Sequence, residues 1–134
     1  SKILVNPHLK QKDIKEISLK HDCVFLDTKK SLGSWCNEIK YIKINEKEFE
    51  NNKEFITNKI KNKIITTLGP KGSVYKNTIY PVPKVEIKDV AGAGDSFISG
   101  LVVQFMKTKN IEKAITFANE CATKVVQKRG VSTI

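Results

Sequence analysis

The chain has 134 residues and a formal net charge of +10 at pH 7. This length is typical of one globular domain, residues 1–134, and no apolar run approaches the roughly 18 residues of a membrane-spanning helix. The three cysteines (Cys23, Cys36 and Cys121) are odd in number and lack C-x-x-C spacing, which argues against a disulfide framework or a zinc site. We therefore expect a cytoplasmic protein with no membrane association.

The positive charge raises the question of nucleic-acid binding, but the distribution of basic residues does not favour it. Arg129 is the only arginine among 24 basic residues, and the lysines are scattered along the chain without interleaved aromatic residues. Base readout and phosphate forks favour arginine. We interpret the lysines as a solvated surface and expect no nucleic-acid partner.

Strand and helix patterns alternate along the first half of the chain. They predict strands over residues 3–5, 24–26, 41–44 and 63–67, and helices over residues 10–20 and 46–61, the second in one piece or two. Gly69-Pro70-Lys71-Gly72 pairs glycine with proline and predicts a turn. Residues 73–76 and 78–82 flank Asn77 and predict a hairpin.

Two helices are predicted in the last third of the chain. Residues 91–106 carry Phe97, Leu101 and Phe105 four residues apart, which makes one apolar stripe. Residues 111–128 form the second helix, and Gly130 is expected to end it. The alternation of strands and helices predicts an α/β fold with a largely parallel sheet.

The segment from Lys88 to Phe97 carries the strongest chemical signal. It places Gly92-Ala93-Gly94-Asp95 where a glycine-rich turn enters a helix. The unpaired N–H groups and the dipole of a helix start attract anions, and glycine lets a phosphate approach the backbone closely. Asp95 in that turn could accept a proton from a hydroxyl that attacks phosphorus. A helix start with a favourable carboxylate and tightly packed glycines explains the same residues, so their local chemistry leaves both interpretations open.

The residues 89–95, Asp-Val-Ala-Gly-Ala-Gly-Asp, resemble the signature of the ribokinase-like (PfkB) carbohydrate kinases. Residues 41–48 resemble the family's strand followed by Asn-x-x-Glu, and residues 67–72 resemble its Thr-x-Gly-x-x-Gly nucleotide loop. Ala118-Asn119 and Gly130-Val131-Ser132 resemble the helix and turn that border the adenine and a monovalent cation. Four matches in the right order make this resemblance much more specific than one motif.

The resemblance implies an enzyme, a carbohydrate kinase that transfers phosphoryl from ATP to a hydroxyl of a sugar or sugar phosphate. Asp95 would be the catalytic base. The anion hole for the γ-phosphate would consist of Gly92, Ala93 and Gly94. The nucleotide site would be lined by Thr67, Gly69, Gly72 and Asn119.

The resemblance also implies two metal sites. Mg²⁺ would be held by Asn45 and Glu48, indirectly through water. K⁺ would lie near Asp89, the carbonyl of Ala91 and Ser132. Ala91 stands where the family often has threonine, so any side-chain contact from that position is lost.

The implied fold is a three-layer α/β/α sandwich with a mostly parallel sheet and helices on both faces. The resemblance covers nearly the whole chain, but only the C-terminal part of the family's fold. The N-terminal part, with the sugar-binding residues and the lid, is absent from this sequence. We therefore expect weak or no kinase activity from the 134 residues alone, and either a homodimer or a missing N-terminal half as partner.

Residues 24–30 and 115–130 look most similar to the heptose-phosphate kinases of the ADP-heptose pathway. Two alternatives to a kinase remain open. One is a non-catalytic nucleotide-binding module from a split or truncated kinase, and the other is a basic nucleic-acid-binding protein. The sequence does not determine the sugar, the oligomeric state or whether the potassium site is functional.

Overall fold

A computed structural model describes residues 2–5, 11–20, 23–27, 31–84 and 92–131, without the side chains of residues 2–5, 18 and 128–131. The described residues form two compact units. The first lies within Ser1–Leu68 and Val74–Thr78, and the second within Gly69–Ser73 and Ile79–Ile134. The assignment of residues 1–134 to a single domain stays a prediction.

The first unit is built on parallel strands. Each strand pairs in parallel with the next: β1 (Lys2–Val5), β2 (Cys23–Asp27), β3 (Tyr41–Asn45) and β4 (Ile64–Thr67). Parallel neighbours need a crossover, which is usually helical. Helix α1 (Gln11–Lys20) connects β1 to β2, and α2 (Glu46–Asn52) and α3 (Asn58–Lys61) lie between β3 and β4. The prediction of an α/β fold with a parallel sheet is confirmed.

One face of these strands carries the core of the first unit. Alternate side chains of a strand point to opposite faces, so every second residue reaches the core. Val24 and Leu26 of β2 cluster with Ile42 and Ile44 of β3. The helical segments contribute further buried residues to this cluster: Ile14, Cys36 and Ile60. Full burial of each large aliphatic side chain is worth about 1.5–3 kcal/mol, so this cluster is the main source of the unit's stability.

The opposite face of the same strands carries a row of aromatic rings. The ring of Tyr41 lies 5.6 Å from that of Phe25 and 6.2 Å from that of Tyr75, centroid to centroid. These tilted and edge-on arrangements are the favourable ones for aromatic pairs. Burial raises the pKa of Tyr41 to about 12, with the neighbouring Tyr75 hydroxyl adding to the effect.

The predicted helix over residues 46–61 is broken into three pieces. Helix α2 ends at Asn52, a 3-10 turn follows at Lys53–Phe55, and α3 begins at Asn58. The Asn52 side chain donates to the Glu48 carbonyl at 2.8 Å and accepts from the Leu32 N–H at 2.8 Å. Asparagine side chains that bond to backbone groups compete with helix propagation, which accounts for the break.

The predicted hairpin is confirmed and is shorter than expected. It consists of β5 (Ser73–Tyr75) and β6 (Thr78–Tyr80), and the six strands follow one another across the sheet in chain order. Lys76 and Asn77 form the turn with φ of 50° and 65°. Two consecutive residues with positive φ are what the tight type I′ hairpin turn requires.

The second unit contains a packed helix pair, α4 (Ala93–Thr108) and α5 (Ile111–Val131). Lys109 ends α4 in the left-handed conformation, with its N–H donating to the Phe105 carbonyl at 2.8 Å. The side-chain oxygen of Asn110 accepts from the Lys113 N–H at 3.1 Å and so caps α5. The predicted apolar stripe of α4 is buried: Phe97, Leu101 and Phe105.

Both helix boundaries in this unit differ slightly from the prediction. Helix α4 begins at Ala93, because Gly92 precedes it in the left-handed conformation with φ 83°. Helix α5 continues through Gly130 to Val131, so the expectation that Gly130 ends the helix is wrong. Glycine ends a helix by turning left-handed, and a helical glycine costs only about 1 kcal/mol relative to alanine. No helix in the described part of the chain combines the length and apolar character needed to cross a bilayer.

Candidate functional site

One residue of the predicted metal site and one of the predicted nucleotide site lie at the ends of neighbouring strands in the first unit. Asn45 is the last residue of β3, Thr67 is the last of β4, and the two are direct partners in the register. The Thr67 hydroxyl donates to the Ile44 carbonyl at 3.5 Å. The carboxyl ends of parallel strands are where open α/β sheets bind their ligands. The structure therefore brings Asn45 and Thr67 together at an edge suited to a ligand.

Asn45 and Glu48 hold each other at the start of α2. The Asn45 side-chain oxygen accepts from the Glu48 N–H at 2.7 Å, and Glu48 Oε1 accepts from the Asn45 N–H at 2.8 Å. This reciprocal arrangement is a capping box, which satisfies two N–H groups of the helix start. The same residues that the sequence assigns to Mg²⁺ thus have fixed side-chain positions.

The donor chemistry of this pair fits an indirectly held magnesium ion. Mg²⁺ prefers oxygen ligands and keeps several of its waters. The single side-chain oxygen of Asn45 and Oε1 of Glu48 each accept a backbone N–H, which leaves Oε2 of Glu48 as a further oxygen. In the described residues, no three His, Cys, Asp or Glu side chains come together as a direct metal cage.

Lys43 is a charged residue at this edge that the sequence analysis did not identify. Its side chain is buried, and its Nζ lies 3.7 Å from Asp27 Oδ1 at the end of β2. Lysine is rarely buried unless it is paired. The sequence does contain a signal for this residue, since Lys43 lies between the two isoleucines of a buried strand and on the same face as Asn45.

The second unit holds the glycine-rich helix start. The Ser96 N–H donates to the Gly92 carbonyl at 3.0 Å, which is the first helical bond of α4. The N–H groups of Ala93, Gly94 and Asp95 therefore precede the helical hydrogen-bond ladder, and Gly92 offers no capping side chain. Asp95 is exposed in this first turn. A helix start of this kind is a ready anion-binding site.

The segment Gly69–Ser73, here called the nucleotide loop, contains two glycines with positive φ. Gly69 has φ +62° and Gly72 has φ +102°, and the Gly72 N–H donates to the Gly69 carbonyl at 3.1 Å. A Cβ on Gly72 would lie 2.1 Å from the Tyr80 carbonyl oxygen, whereas a Cβ on Gly69 would meet nothing within 4 Å. Gly72 is therefore required both for its conformation and for its close approach to β6.

Asn119 of α5 lies beside this loop and is buried. Its side-chain oxygen accepts from the Ser73 hydroxyl at 3.1 Å, and its side-chain nitrogen donates to the Tyr80 carbonyl at 2.9 Å. Ser73 is fully buried as well. The second unit thus brings Asn119 together with the nucleotide loop through two hydrogen bonds.

The remaining predicted site residues fall outside the described part of the chain. Asp89, Ala91 and Ser132, assigned to a potassium ion, are among them, so that site stays a prediction. The first unit holds Asn45, Glu48 and Thr67. The second holds the other described site residues, namely Gly69, Gly72, Gly92, Ala93, Gly94, Asp95 and Asn119.

Two further shifted pKa values belong to side chains outside the predicted site. Burial raises the pKa of the Cys36 thiol to about 11, against opposing effects of the Gly33 backbone and Lys63. Burial lowers the pKa of Lys63, while Glu38 acts in the opposite direction. The Lys63 ammonium donates to the Asn37 carbonyl. These groups stabilise the loop before β3 and have no evident part in phosphate chemistry.

The fold and the helix-start geometry define a known class of α/β protein. The structure superimposes on ribokinase from Thermotoga maritima with a TM-score of 0.80 and 27% sequence identity, covering 94% of this chain and 50% of that one. The chain therefore has the ribokinase-like fold, as the motifs predicted.

The sequence comparisons define the family. Residues 10–134 match the pfkB family carbohydrate kinases, and the chain belongs to that family. It is 36% identical to adenosine kinase 2 of Arabidopsis thaliana over 59 residues, which are 44% of this chain and 17% of that protein. It is 37% identical to the bifunctional protein HldE of Helicobacter acinonychis over 70 residues, 49% of this chain and 15% of that protein. These matches confirm the family resemblance, and the chain spans well under two thirds of each relative.

Proposed function

We propose that the chain supplies the nucleotide-binding and proton-accepting part of an enzyme that transfers phosphoryl from ATP to a hydroxyl of a sugar or sugar phosphate. The observation that carries the proposal is the start of α4. Gly92 turns left-handed, three N–H groups precede the helical ladder, and the exposed carboxylate of Asp95 lies in the same turn. Membership of the pfkB family of carbohydrate kinases supports it.

Catalysis of phosphoryl transfer depends more on positioning and charge stabilisation than on covalent chemistry by the protein. In this proposal the N–H groups of Gly94 and its neighbours hold the oxygens of the transferred phosphoryl group, where charge develops. Asp95 accepts the proton of the attacking hydroxyl. Asn45 and Glu48 would hold a magnesium ion indirectly, and that ion would neutralise charge on the phosphates.

Four finer assignments belong to the proposal. The resemblance of residues 24–30 and 115–130 to heptose-phosphate kinases makes a heptose phosphate our first candidate acceptor. K⁺ would bind near Asp89, Ala91 and Ser132, and the protein would act in the cytoplasm. The chain would act as a homodimer or together with a missing N-terminal half, and that half would provide the sugar-binding residues.

A second candidate function is a nucleotide-binding module without catalysis. It would use the same helix start and the same nucleotide loop, whose geometry bears on binding and not on turnover. Both functions require nucleotide binding and differ in turnover. A nucleic-acid-binding protein would instead bind DNA in a salt-dependent way and leave ATP unbound.

The test is a calorimetric titration of the chain with MgATP. We expect the wild-type chain to bind and Gly94→Asp to lose at least tenfold in affinity, because the new carboxylate occupies the anion site and repels phosphate. Ser99→Asp is the matched control, since it adds the same charge at an exposed position of the same helix. Equal affinity of the Gly94→Asp chain and the wild type would contradict the proposal.

A further inference from the structure

We propose that Asn119 is a positioning residue, which acts on the nucleotide by holding the nucleotide loop through Ser73 and Tyr80. The inference rests on the proposed function for its ligand, a nucleotide. Whether Asn119 holds the loop can be tested without a nucleotide. It goes beyond the expectation that Asn119 borders the adenine, because it assigns the residue's effect to two contacts within the protein.

The burial of the contact is the first argument. Asn119 has 6% of its surface exposed and Ser73 has none. Buried polar groups without partners are costly, so a network at this depth has to be satisfied by the protein. Asn119 uses one acceptor and one donor for this purpose, the first to Ser73 and the second to the Tyr80 carbonyl.

The second argument is that both contacts converge on one end of the nucleotide loop. Ser73 directly follows Gly72, so its hydrogen bond fixes the peptide that leaves the loop. The Tyr80 carbonyl that accepts from Asn119 is also the group against which Gly72 packs, since a Cβ there would lie 2.1 Å from it. One amide side chain therefore secures Gly72 from two directions.

The third argument concerns what this arrangement does for a ligand. Binding geometry has to be held to about 0.5 Å by neighbouring side chains whose own positions are locked. The loop itself is exposed at Gly69, Pro70 and Lys71. Exposed loop segments are held mainly by such anchors, so loss of Asn119 should loosen the loop and weaken nucleotide binding together.

Trypsin tests the loop directly, because Lys71 is an exposed cleavage site within it. We expect Asn119→Ala to increase the rate of cleavage after Lys71 at least tenfold, with cleavage after the exposed Lys61 of the first unit as an internal reference. Thr123→Ala is the matched control on α5, since it removes a 2.9 Å hydrogen bond to the Asn119 carbonyl and leaves the loop contacts intact. If Asn119→Ala does not fold, Ser73→Ala replaces it and should give a smaller increase in the same direction. Unchanged cleavage after Lys71 in the folded variant would overturn the inference.

Asn119→Asp should make MgATP affinity depend on pH, which a mere loss of stability would not do. Its carboxylate can accept from Ser73 but cannot donate to the Tyr80 carbonyl, whereas the protonated acid can do both. Burial and the adjacent carbonyl should raise the pKa of the introduced carboxyl. We expect MgATP affinity relative to wild type to be at least tenfold lower at pH 8 and to recover as the pH falls to 5.5.

The outcomes separate this inference from the proposed function. If the wild-type chain fails to bind MgATP, the proposed function fails, and cleavage after Lys71 still decides whether Asn119 holds the loop. If Asn119→Asp binds MgATP equally weakly at both pH values relative to wild type while cleavage is normal, the positioning role is wrong.

Discussion

Gly69 and Gly72 share a motif but differ in what their surroundings require. Both have positive φ, yet the space around the Cβ position of Gly69 is open and that around Gly72 is closed by Tyr80 and Pro81. A residue with a side chain costs about 1–2 kcal/mol in the left-handed conformation wherever it occurs. Overpacking adds about 1–3 kcal/mol where there is no room. Gly69 is therefore constrained by its backbone conformation alone, and Gly72 by both its conformation and the lack of space.

Substitution by alanine separates these constraints. Gly69→Ala should lower the free energy of unfolding by about 1 kcal/mol, from backbone strain alone. Gly72→Ala should lower it by about 2–4 kcal/mol, because strain and overpacking act together. Urea unfolding followed by circular dichroism measures both. Equal losses for the two variants would show that the contact between Gly72 and Tyr80 is not as close as the structure has it.

The sequence predicts the turn and the helix that the glycines introduce, but it does not predict the side-chain contacts around them. The pattern predicts a turn at Gly69–Gly72 and a helix from residue 91, and the structure has the turn and a helix that begins at Ala93. The partners of Asn119 could not be predicted, because Ser73 and Tyr80 lie 46 and 39 residues away in the chain. Lys43 was missed for a related reason, since the carboxylate that makes its burial tolerable belongs to another strand.

Helices α4 and α5 approach closely where α4 has a glycine. A Cβ on Gly100 would lie 2.9 Å from Cys121 Sγ, 3.3 Å from Cys121 Cβ and 3.5 Å from the Ala118 Cα. Glycine inside a helix costs about 1 kcal/mol relative to alanine, so its presence here needs a packing reason. The contact with Cys121 provides that reason.

Gly100→Ala should therefore destabilise the chain by about 1 kcal/mol, because overpacking of about 1–3 kcal/mol exceeds the gain in helix propensity. In the Gly100→Ala/Cys121→Ala chain the short contact with Sγ is removed. We expect this pair to be more stable than the sum of the single variants by about 1 kcal/mol, within the usual range for residues in contact. A double-mutant cycle from thermal or urea unfolding measures the coupling, with Ser99→Ala as the exposed control on α4. Strict additivity would contradict the packing argument.

At the scale of elements, periodicity predicted each strand and helix type correctly where one face is buried. The strands of the first unit and the stripe of α4 follow this rule, since burial imposes their spacing. The spacing left one piece or two open for residues 46–61, because the break depends on the Asn52 side chain bonding to Leu32 across a loop. The extension of α5 through Gly130 was missed because glycine permits a helix end without enforcing one.

At the scale of the whole chain, the 134 residues span half of the ribokinase that they resemble. A phosphoryl-transfer site that is open to water loses the preorganised, water-excluded environment that gives its charges their effect. The proposed anion site and base lie in this chain, whereas the family resemblance places the lid in the half of the fold that these residues do not match. The isolated chain should therefore bind nucleotide and yet turn over slowly.

We expect the isolated chain to bind MgATP and to release ADP in the presence of sugars far below the usual kinase rate of about 1–100 s⁻¹. A coupled ADP assay over a panel of sugars and sugar phosphates, including a heptose phosphate, measures this, with Asp95→Asn as the background. Sugar-dependent turnover in the usual range would refute the incomplete-site interpretation. Slow turnover that Asp95→Asn abolishes would identify the base within a weak but genuine site.

The two outer strands of the sheet differ in how well they resist strand addition. Among the described strands, β1 and β6 each have a neighbour on one side only. Strand β6 is three residues long and is followed by Pro81 and Pro83, which cannot donate to a ladder. Strand β1 is part of a parallel array, has four residues and contains no proline. Of these two strands, β1 is therefore the one whose backbone could better accept an added strand.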